Sequence, residues 1–280
     1  MLFSTSGAAI KYVSLNAWQV ACVRAAVAAL TLLVLLPEAR RRWTWPAALI
    51  GAAHAVTMIS FVVANKLTTA ASTIFLQSTA PLYILLTAPF LLREKVTRRD
   101  LGLAACIGAG LAMILTTTRS AQATAPDPGL GNTIAMASGI LWAVTLMGLR
   151  WSARGDSPRA GSAGLVIFIG NALACVATLP LAVPFGPIAP LDLLTLIYLG
   201  TLQIGVAYAL LIRGVRHVGA VEASLLLLVE PVLNPLWAWI VSGEVPGTAA
   251  LAGGGLILAA TTWRTWSAAR EAKYRDRNPE

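Results

Sequence analysis

The sequence has few charged residues. Asp, Glu, Lys and Arg make up only 12% of its 280 residues, about half the share of roughly 25% in an average soluble domain. Hydrophobic residues account for 57%, and the mean hydropathy is +0.73. This composition excludes an ordinary soluble domain and indicates an integral membrane protein. A chain of this length has room for about ten spans of some 20 residues and little else.

Motifs for catalysis and for cofactor binding are missing as well. The nucleotide-binding motif G-x-x-x-x-G-K-[ST] does not occur, which excludes transport driven by ATP hydrolysis in this chain. G-x-S-x-G is absent, the only histidines are His54 and His217, and no close acidic pair lies within an apolar run. These absences argue against a hydrolase and against a metal site. The sequence predicts a protein that is not an enzyme and needs no cofactor.

The three cysteines are isolated from one another. Cys22, Cys106 and Cys175 lie in separate apolar runs and show neither a disulfide pattern nor the spacing of metal ligands. They are interpreted as packing residues.

Apolar runs separated by polar or proline-containing breaks predict ten membrane-spanning helices. The runs cover residues 2–13, 17–36, 46–64, 70–91, 99–118, 131–151, 162–183, 192–213, 220–242 and 246–266. The longest break, 119–130, is rich in Pro, Gly and Ala and predicts an exposed linker. The first run is too short to cross a hydrocarbon core about 30 Å thick. Either the true start lies upstream or this helix is shortened.

Lys and Arg are distributed unequally between alternate loops. With a cytoplasmic N-terminus, 17 of the 21 lie on the cytoplasmic side, 3 lie outside and Arg24 lies within a span. The net charge of +9 is therefore interpreted as a topology signal and not as a nucleic-acid-binding surface. Both termini are predicted to be cytoplasmic.

Residues 220–244 resemble residues 70–94 at a constant offset of 150. Both stretches begin with small residues, carry a proline at the twelfth position (Pro81 and Pro231) and end in a glutamate (Glu94 and Glu244). The two copies enter the membrane from opposite sides, which predicts an inverted-topology repeat with substrate near the midplane. The predicted organisation is a first five-helix repeat at 1–118, an external linker at 119–130, a second repeat at 131–266 and a basic cytoplasmic tail at 267–280. The same alignment sets Phe3 opposite Trp142 and Lys11 opposite Arg150.

These features resemble the EamA-type drug/metabolite transporters, and within them most closely the YddG-type amino acid exporters. The resemblance is carried by an Ala-Ser pair, Glu230-Pro231, Gly243-Glu244, Arg24, Trp142 and the glycine-rich runs at 102–110 and 253–255. It implies an all-α protein of the bacterial inner membrane, with ten helices in a basket around a central cavity that opens alternately to each side.

Polar and aromatic residues at the centres of apolar spans are the candidates for substrate contact, because an unpaired polar group in a membrane costs several kcal/mol. Glu230, Asn234 and Trp237 follow helical spacing i, i+4, i+7 and share one face. Glu230 could meet a substrate ammonium, bind a transported proton, or form a structural ion pair with Arg24. An Arg24 that pairs in one state and releases in another would act as a gate. Pro231 should bend its span near Leu227, and Pro81 should bend the equivalent span.

The remaining candidates come from four other spans. They are His54, Met58 and Phe61 on one face of span 3, Gln77 and Tyr83 near the kink of span 4, Trp142 in span 6 and Gln203 in span 8. Tryptophan can stack on aromatic or cationic substrates. Gln203 and Tyr208 lie on different faces of an α-helix, so only Gln203 is predicted to line the cavity.

Together these observations predict a secondary transporter that exports amino acids, including aromatic ones, and related small metabolites by alternating access. Its partners are a small-molecule substrate and the lipid bilayer, without nucleic acid. Facilitated diffusion and proton antiport both fit a single buried acid, and transport direction and oligomeric state stay open. The alternatives are a non-transporting membrane scaffold and a sugar-phosphate or nucleotide-sugar exchanger. Such an exchanger would need several cations, whereas Arg24 is the only one within a span.

Overall fold

The computed structural model describes residues 1–91, 98–117, 123–154, 162–214 and 229–277, and the regular structure in these ranges is helical, with no strand. A 3₁₀ turn at Leu2–Thr5 precedes α1. The helices are α1 (Ser6–Tyr12), α2 (Ala17–Leu35), α3 (Trp45–Leu67), α4 (Ala70–Gln77), α5 (Ala80–Leu91), α6 (Arg98–Thr117), α7 (Pro128–Arg154), α8 (Ala163–Ala182), α9 (Pro190–Tyr198), α10 (Ala207–Gly214), α11 (Val229–Ser242) and α12 (Thr248–Arg277). A π-helical segment, Leu199–Val206, joins α9 to α10.

Within the described residues, six segments are long and apolar enough to cross a membrane by length and composition. They are Ala17–Leu35, Trp45–Leu67, Ala70–Thr87, Pro128–Leu149, Ala163–Ala182 and Pro190–Gly214. A shorter apolar helix covers Leu101–Leu115. Where the structure describes them, the apolar runs of the sequence are helical, because a backbone in hydrocarbon must satisfy its own hydrogen bonds.

Helix ends differ from the predicted spans by a few residues or more, and two of these differences affect the predicted linker and the predicted tail. α7 begins at Pro128, so residues 128–130 of the predicted linker are helical. Asp127 accounts for this start, because its Oδ1 accepts a hydrogen bond from the Leu130 amide at 3.0 Å, and proline is favoured at the first helical position. α12 continues to Arg277, so most of the predicted tail is also helical. Glu94, residues 220–228 and the bend expected near Leu227 lie outside the described residues.

The span that carries Pro81 is broken where its sequence predicts. α4 ends at Gln77 and α5 begins at Ala80. Pro81 has no amide hydrogen to donate to the Gln77 carbonyl, so the ladder of i to i+4 bonds is interrupted there. Thr79 bonds the preceding turn instead, with its Oγ1 donating to the Leu76 carbonyl at 2.6 Å. The break therefore leaves the Gln77 carbonyl without the helical bond that an amide at position 81 would make.

Glycines allow the last helices of the two predicted repeats to approach each other closely. A Cβ atom at Gly110 of α6 would lie 2.6 Å from the Gly253 carbonyl oxygen, and one at Gly253 of α12 would lie 2.5 Å from the Gly110 carbonyl oxygen. No larger residue fits at either position without backbone movement. The other extensive contacts join α2 to α8, and α3 to both α7 and α8.

Polar groups tie the helices together at the ends predicted to be external. The Lys11 Nζ lies 3.2 Å from the Glu244 Oε2, and both side chains are buried. The other carboxylate oxygen of Glu244 accepts the Ala70 amide of α4 at 2.6 Å, and Lys11 donates to the carbonyls of Thr68, at 2.7 Å, and Thr124. We refer to these five residues as the Lys11–Glu244 network. Glu244 therefore caps the start of α4 and forms an ion pair at the same helix ends.

Candidate functional site

A cavity of about 890 Å³, its open mouth included, lies among α2, α3, α4, α7, α8, α10 and α11. Seven of the predicted site residues line it, namely Arg24, Met58, Phe61, Gln77, Trp142, Gln203 and Glu230. The cavity extends past Leu149, Ala163 and Leu211 to the helix ends that the charge distribution predicts to be cytoplasmic.

Arg24 is a buried cation with weak partners. It is 3% exposed, and its Nη2 donates to the Met58 carbonyl at 3.5 Å and to the Met58 thioether sulfur at 3.7 Å. The first of these distances exceeds the 2.7–3.2 Å usual for N–H···O bonds. The Arg24 Nε has no hydrogen-bond partner among the described residues. Among the described residues, the guanidinium at the cavity lining therefore makes only these two long contacts.

Glu230 supplies an acid to the same cavity. Its side chain is half-buried. In the described part of the chain, no ion pair joins it to Arg24, and Lys11 with Glu244 is the pair within 4.0 Å that the structure shows. One cavity thus contains a cation and an anion that do not neutralise each other by direct contact.

Four aromatic side chains line the cavity, namely Phe3, Phe61, Trp142 and Tyr208. Phe61 and Trp142 were predicted, whereas Phe3 and Tyr208 were not, and the rings of the latter two meet edge to face with centroids 5.0 Å apart. The alignment of Phe3 with Trp142 contained a signal for Phe3. We refer to Phe3, Phe61, Trp142 and Tyr208 as the aromatic wall.

Tyr208 corrects the expectation that it and Gln203 lie on different faces. Both line the cavity. The reason is the π-helical segment Leu199–Val206, in which the backbone bonds i to i+5, so residues five apart come round to nearly the same face. Its glycines lie against α2, and a Cβ at Gly200 would be 2.5 Å from the Val27 Cβ. No α-helical periodicity in the sequence reveals this change of register.

His54 lies behind the aromatic wall and not among the residues that line the cavity. It is fully buried, with its ring centroid 6.2 Å from that of Trp142 and 5.7 Å from that of Tyr208. Neither imidazole nitrogen has a hydrogen-bond partner among the described residues. A Cβ at Gly170 would lie 2.6 Å from the His54 Cδ2, so a glycine is needed for the ring to fit. From this position the His54 ring packs against the rings of Trp142 and Tyr208 and can hold them at the cavity.

Asn234 and Trp237 share a helix face with Glu230, as predicted, but this face is covered by the N-terminal segment. The Asn234 Nδ2 donates to the Ser6 Oγ at 3.2 Å, and the Trp237 Nε1 donates to the Ser4 Oγ at 3.1 Å. Neither residue lines the cavity. Trp237 borders a separate apolar pocket instead. The first helix and the turn before it thus supply acceptors for the Asn234 amide N–H and the Trp237 indole N–H. Glu230 is the member of the stripe that reaches the cavity.

The predicted candidates of the broken span separate in the structure. The Gln77 Nε2 donates to the Ser138 Oγ at 2.8 Å, and this hydroxyl donates to the Thr57 carbonyl at 3.3 Å. Gln77 is thereby held at the cavity edge beside the helix break. Tyr83 is half-buried on α5, beyond the break, and is not among the lining residues.

Comparisons with known proteins agree with this architecture. The EamA-like transporter family matches residues 1–116 and 129–265. A protein of known crystal structure is 20% identical to the chain, with 96% of this chain and 94% of that chain covered and a TM-score of 0.59. At this identity the likeness concerns the fold alone. No curated protein matches the chain. These matches identify the family. The exporter subtype stays a prediction.

Proposed function

The chain belongs to the EamA-like transporter family, and we propose that it exports amino acids, including aromatic ones, and related small metabolites across the bacterial inner membrane. Membership of this family indicates a multi-pass membrane transporter of small molecules. The finer assignment depends on one observation: a half-buried carboxylate, Glu230, lines the same cavity as the aromatic wall without pairing to Arg24. A substrate ammonium would neutralise this carboxylate, and an aromatic or apolar side chain would pack on the wall.

A phosphate-bearing substrate is less well supported. Such anions carry two or more negative charges and are bound by clusters of Arg, Lys or helix N-termini. Arg24 is the one basic side chain among the described residues that line the cavity, and it is opposed by an acid, Glu230. The lining therefore has no excess of positive charge for a phosphate ester.

We propose alternating access as the mechanism, with the predicted external side closed here. The Lys11–Glu244 network joins the two predicted repeats at that side, while the cavity reaches the opposite helix ends. The helix contacts also support two equivalent halves. The predicted repeat makes span 1 (α1) equivalent to span 6 (α7), and span 4 (which begins with α4) equivalent to span 9 (α11). The contact of α4 with α7 then corresponds to the contact of α11 with α1. Both contacts are present.

Transport by purified protein in proteoliposomes tests the proposal. We expect flux of labelled phenylalanine, tryptophan and leucine above that of empty vesicles, and loss of most of this flux in Glu230→Gln. Trp239→Ala is the matched control, because Trp239 lies on the same helix but is 54% exposed on the outer surface, and it should transport normally. Absence of flux for every amino acid, from protein that elutes as a folded species, would falsify the proposal.

The same assay addresses the other open points. A scaffold without transport activity would show no flux, and replacement of Glu230 and Gln203 by leucine would have no phenotype. Proton antiport predicts that an imposed pH gradient drives amino acid flux and that Glu230→Gln removes this dependence. Facilitated diffusion predicts flux that follows the amino acid gradient alone.

A further inference from the structure

We propose that Arg24 binds the α-carboxylate of the substrate while Glu230 binds its ammonium, so that the cavity selects zwitterions by recognising both charges. This inference rests on the proposed function and adds the substrate class and the role of Arg24. In place of the structural ion pair between Arg24 and Glu230 that the sequence allowed, the inference assigns each residue a separate contact with the substrate.

The first step is the unsatisfied state of Arg24. A cation that is 3% exposed in a membrane protein is expected to have an anionic or strongly polar partner, because an uncompensated buried charge is costly. Its contacts are with a carbonyl at 3.5 Å and a thioether at 3.7 Å, both of Met58, and its Nε is unpartnered among the described residues. The guanidinium has five N–H donors, and two of them in fork geometry match the oxygens of one carboxylate.

The second step is that the protein's own acid does not fill this role. Glu230 lines the same cavity, and the structure shows no ion pair between it and Arg24 in the described residues. Both groups border the same cavity. A free α-amino acid carries one carboxylate and one ammonium on the same carbon, so it supplies a charge complement to each of the two residues.

The third step is that the backbone around Arg24 is fixed in place. α2 packs against the π-helical segment, and a Cβ at Gly200 would lie 2.9 Å from the Arg24 carbonyl oxygen. Ala25 and Ala28, on the same helix, are also buried. A rigid support of this kind favours recognition of a small charged group, because little side-chain and backbone ordering is left to occur on binding.

Competition binding with three matched compounds tests the inference: phenylalanine, phenylalaninamide, which lacks the carboxylate, and 3-phenylpropanoate, which lacks the ammonium. For the wild-type protein, both analogues should bind at least about tenfold more weakly than phenylalanine, because each leaves one charged group unpaired. Arg24→Gln should weaken phenylalanine by at least about tenfold and leave phenylalaninamide nearly unchanged, so that the two bind equally. Glu230→Gln should instead remove the preference for phenylalanine over 3-phenylpropanoate.

The ratio of the affinities for phenylalanine and phenylalaninamide distinguishes substrate binding by Arg24 from a structural role of this residue. If Arg24→Gln weakened phenylalanine and phenylalaninamide by the same factor, Arg24 would be structural and the inference would be wrong. If that variant did not fold, the ratio of wild-type affinities for phenylalanine and phenylalaninamide would still test the inference. Equal wild-type affinities would contradict the inference. Transport of amino acids by the same protein would still uphold the proposed function. If the wild type neither bound phenylalanine nor transported any amino acid, both would fail.

Discussion

Breaking the Lys11–Glu244 pair should open the side of the protein that is predicted to be external. Glu244→Gln removes the negative charge but keeps an oxygen that can accept the Ala70 amide, now at 2.6 Å. It leaves the Lys11 ammonium, whose side chain is 4% exposed, without its anion. The perturbation is therefore confined to the ion pair and preserves the cap of α4.

The expected magnitude follows from the burial of the pair and from its other contacts. Loss of one partner from a buried ion pair costs about 3–5 kcal/mol. Lys11 retains the carbonyls of Thr68 and Thr124 as acceptors, so we expect about 3 kcal/mol, which corresponds to roughly a hundredfold change in an equilibrium constant. If the ion pair exists only in the form that is closed on the predicted external side, its loss destabilises only that form. The whole free-energy change then shifts the equilibrium towards the form that is open on this side.

A cysteine in the cavity reports the change. We would replace Cys22, Cys106 and Cys175 by alanine, introduce Leu146→Cys, and measure labelling by a membrane-impermeant maleimide from the external side of right-side-out vesicles. Leu146 lines the cavity. In Glu244→Gln the rate of external labelling should rise at least about tenfold, as part of the roughly hundredfold shift in populations.

Lys66→Met is the matched control for this experiment. Lys66 lies at the same end of the molecule and donates to the Val13 carbonyl at 2.5 Å, but this contact is internal to the first predicted repeat. Its loss should leave external labelling unchanged. Equal increases in Lys66→Met and Glu244→Gln, or no increase in a folded Glu244→Gln, would refute the reasoning.

Three further predictions concern the site and its support. Trp142→Ala should reduce flux of phenylalanine more than flux of alanine, because it removes an aromatic surface worth about 0.5–1.5 kcal/mol. Trp142→Phe keeps an aromatic surface and should retain most of both fluxes. Equal losses of phenylalanine and alanine flux in Trp142→Ala would contradict this prediction. Gly253→Ala should destabilise the protein by about 1–3 kcal/mol, seen as a lower Tm, because the new Cβ would lie 2.5 Å from a carbonyl oxygen of α6. Gly255→Ala is its control, since nothing lies within 4 Å of a Cβ there. Asn234→Ala should destabilise the protein by about 1–3 kcal/mol through loss of the bond to Ser6, seen as a lower Tm, without altering the ratio of affinities among amino acids.

Part of the candidate site could be predicted from single residues. Arg24, Trp142 and Glu230 are conspicuous in the sequence because charged and aromatic residues are unusual at the centre of apolar runs, and all three line the cavity. Asn234 and Trp237 are equally conspicuous, yet their polar atoms bond to Ser6 and Ser4. Periodicity identifies a shared face but does not reveal which partner covers it.

Other features depend on departures from regular helix geometry. Tyr208 joins Gln203 at the cavity because a π-helical segment changes the register between them, and this departure has no signature in the pattern of apolar residues. His54 was a reasonable candidate from its depth in the span. It lies behind Trp142 because Gly170 leaves room for its ring, a fit between two helices that are distant in sequence.

The sequence by itself determined the helices, because hydrocarbon leaves a backbone no partners other than its own, and apolar runs of sufficient length must therefore form them. It also determined the break before Pro81, since a missing amide hydrogen has a local effect. The tertiary structure alone decided which polar groups are satisfied and which face the cavity. That outcome depends on contacts across the bundle: Lys11 with Glu244, Ser6 with Asn234, and the absence of contact between Arg24 and Glu230.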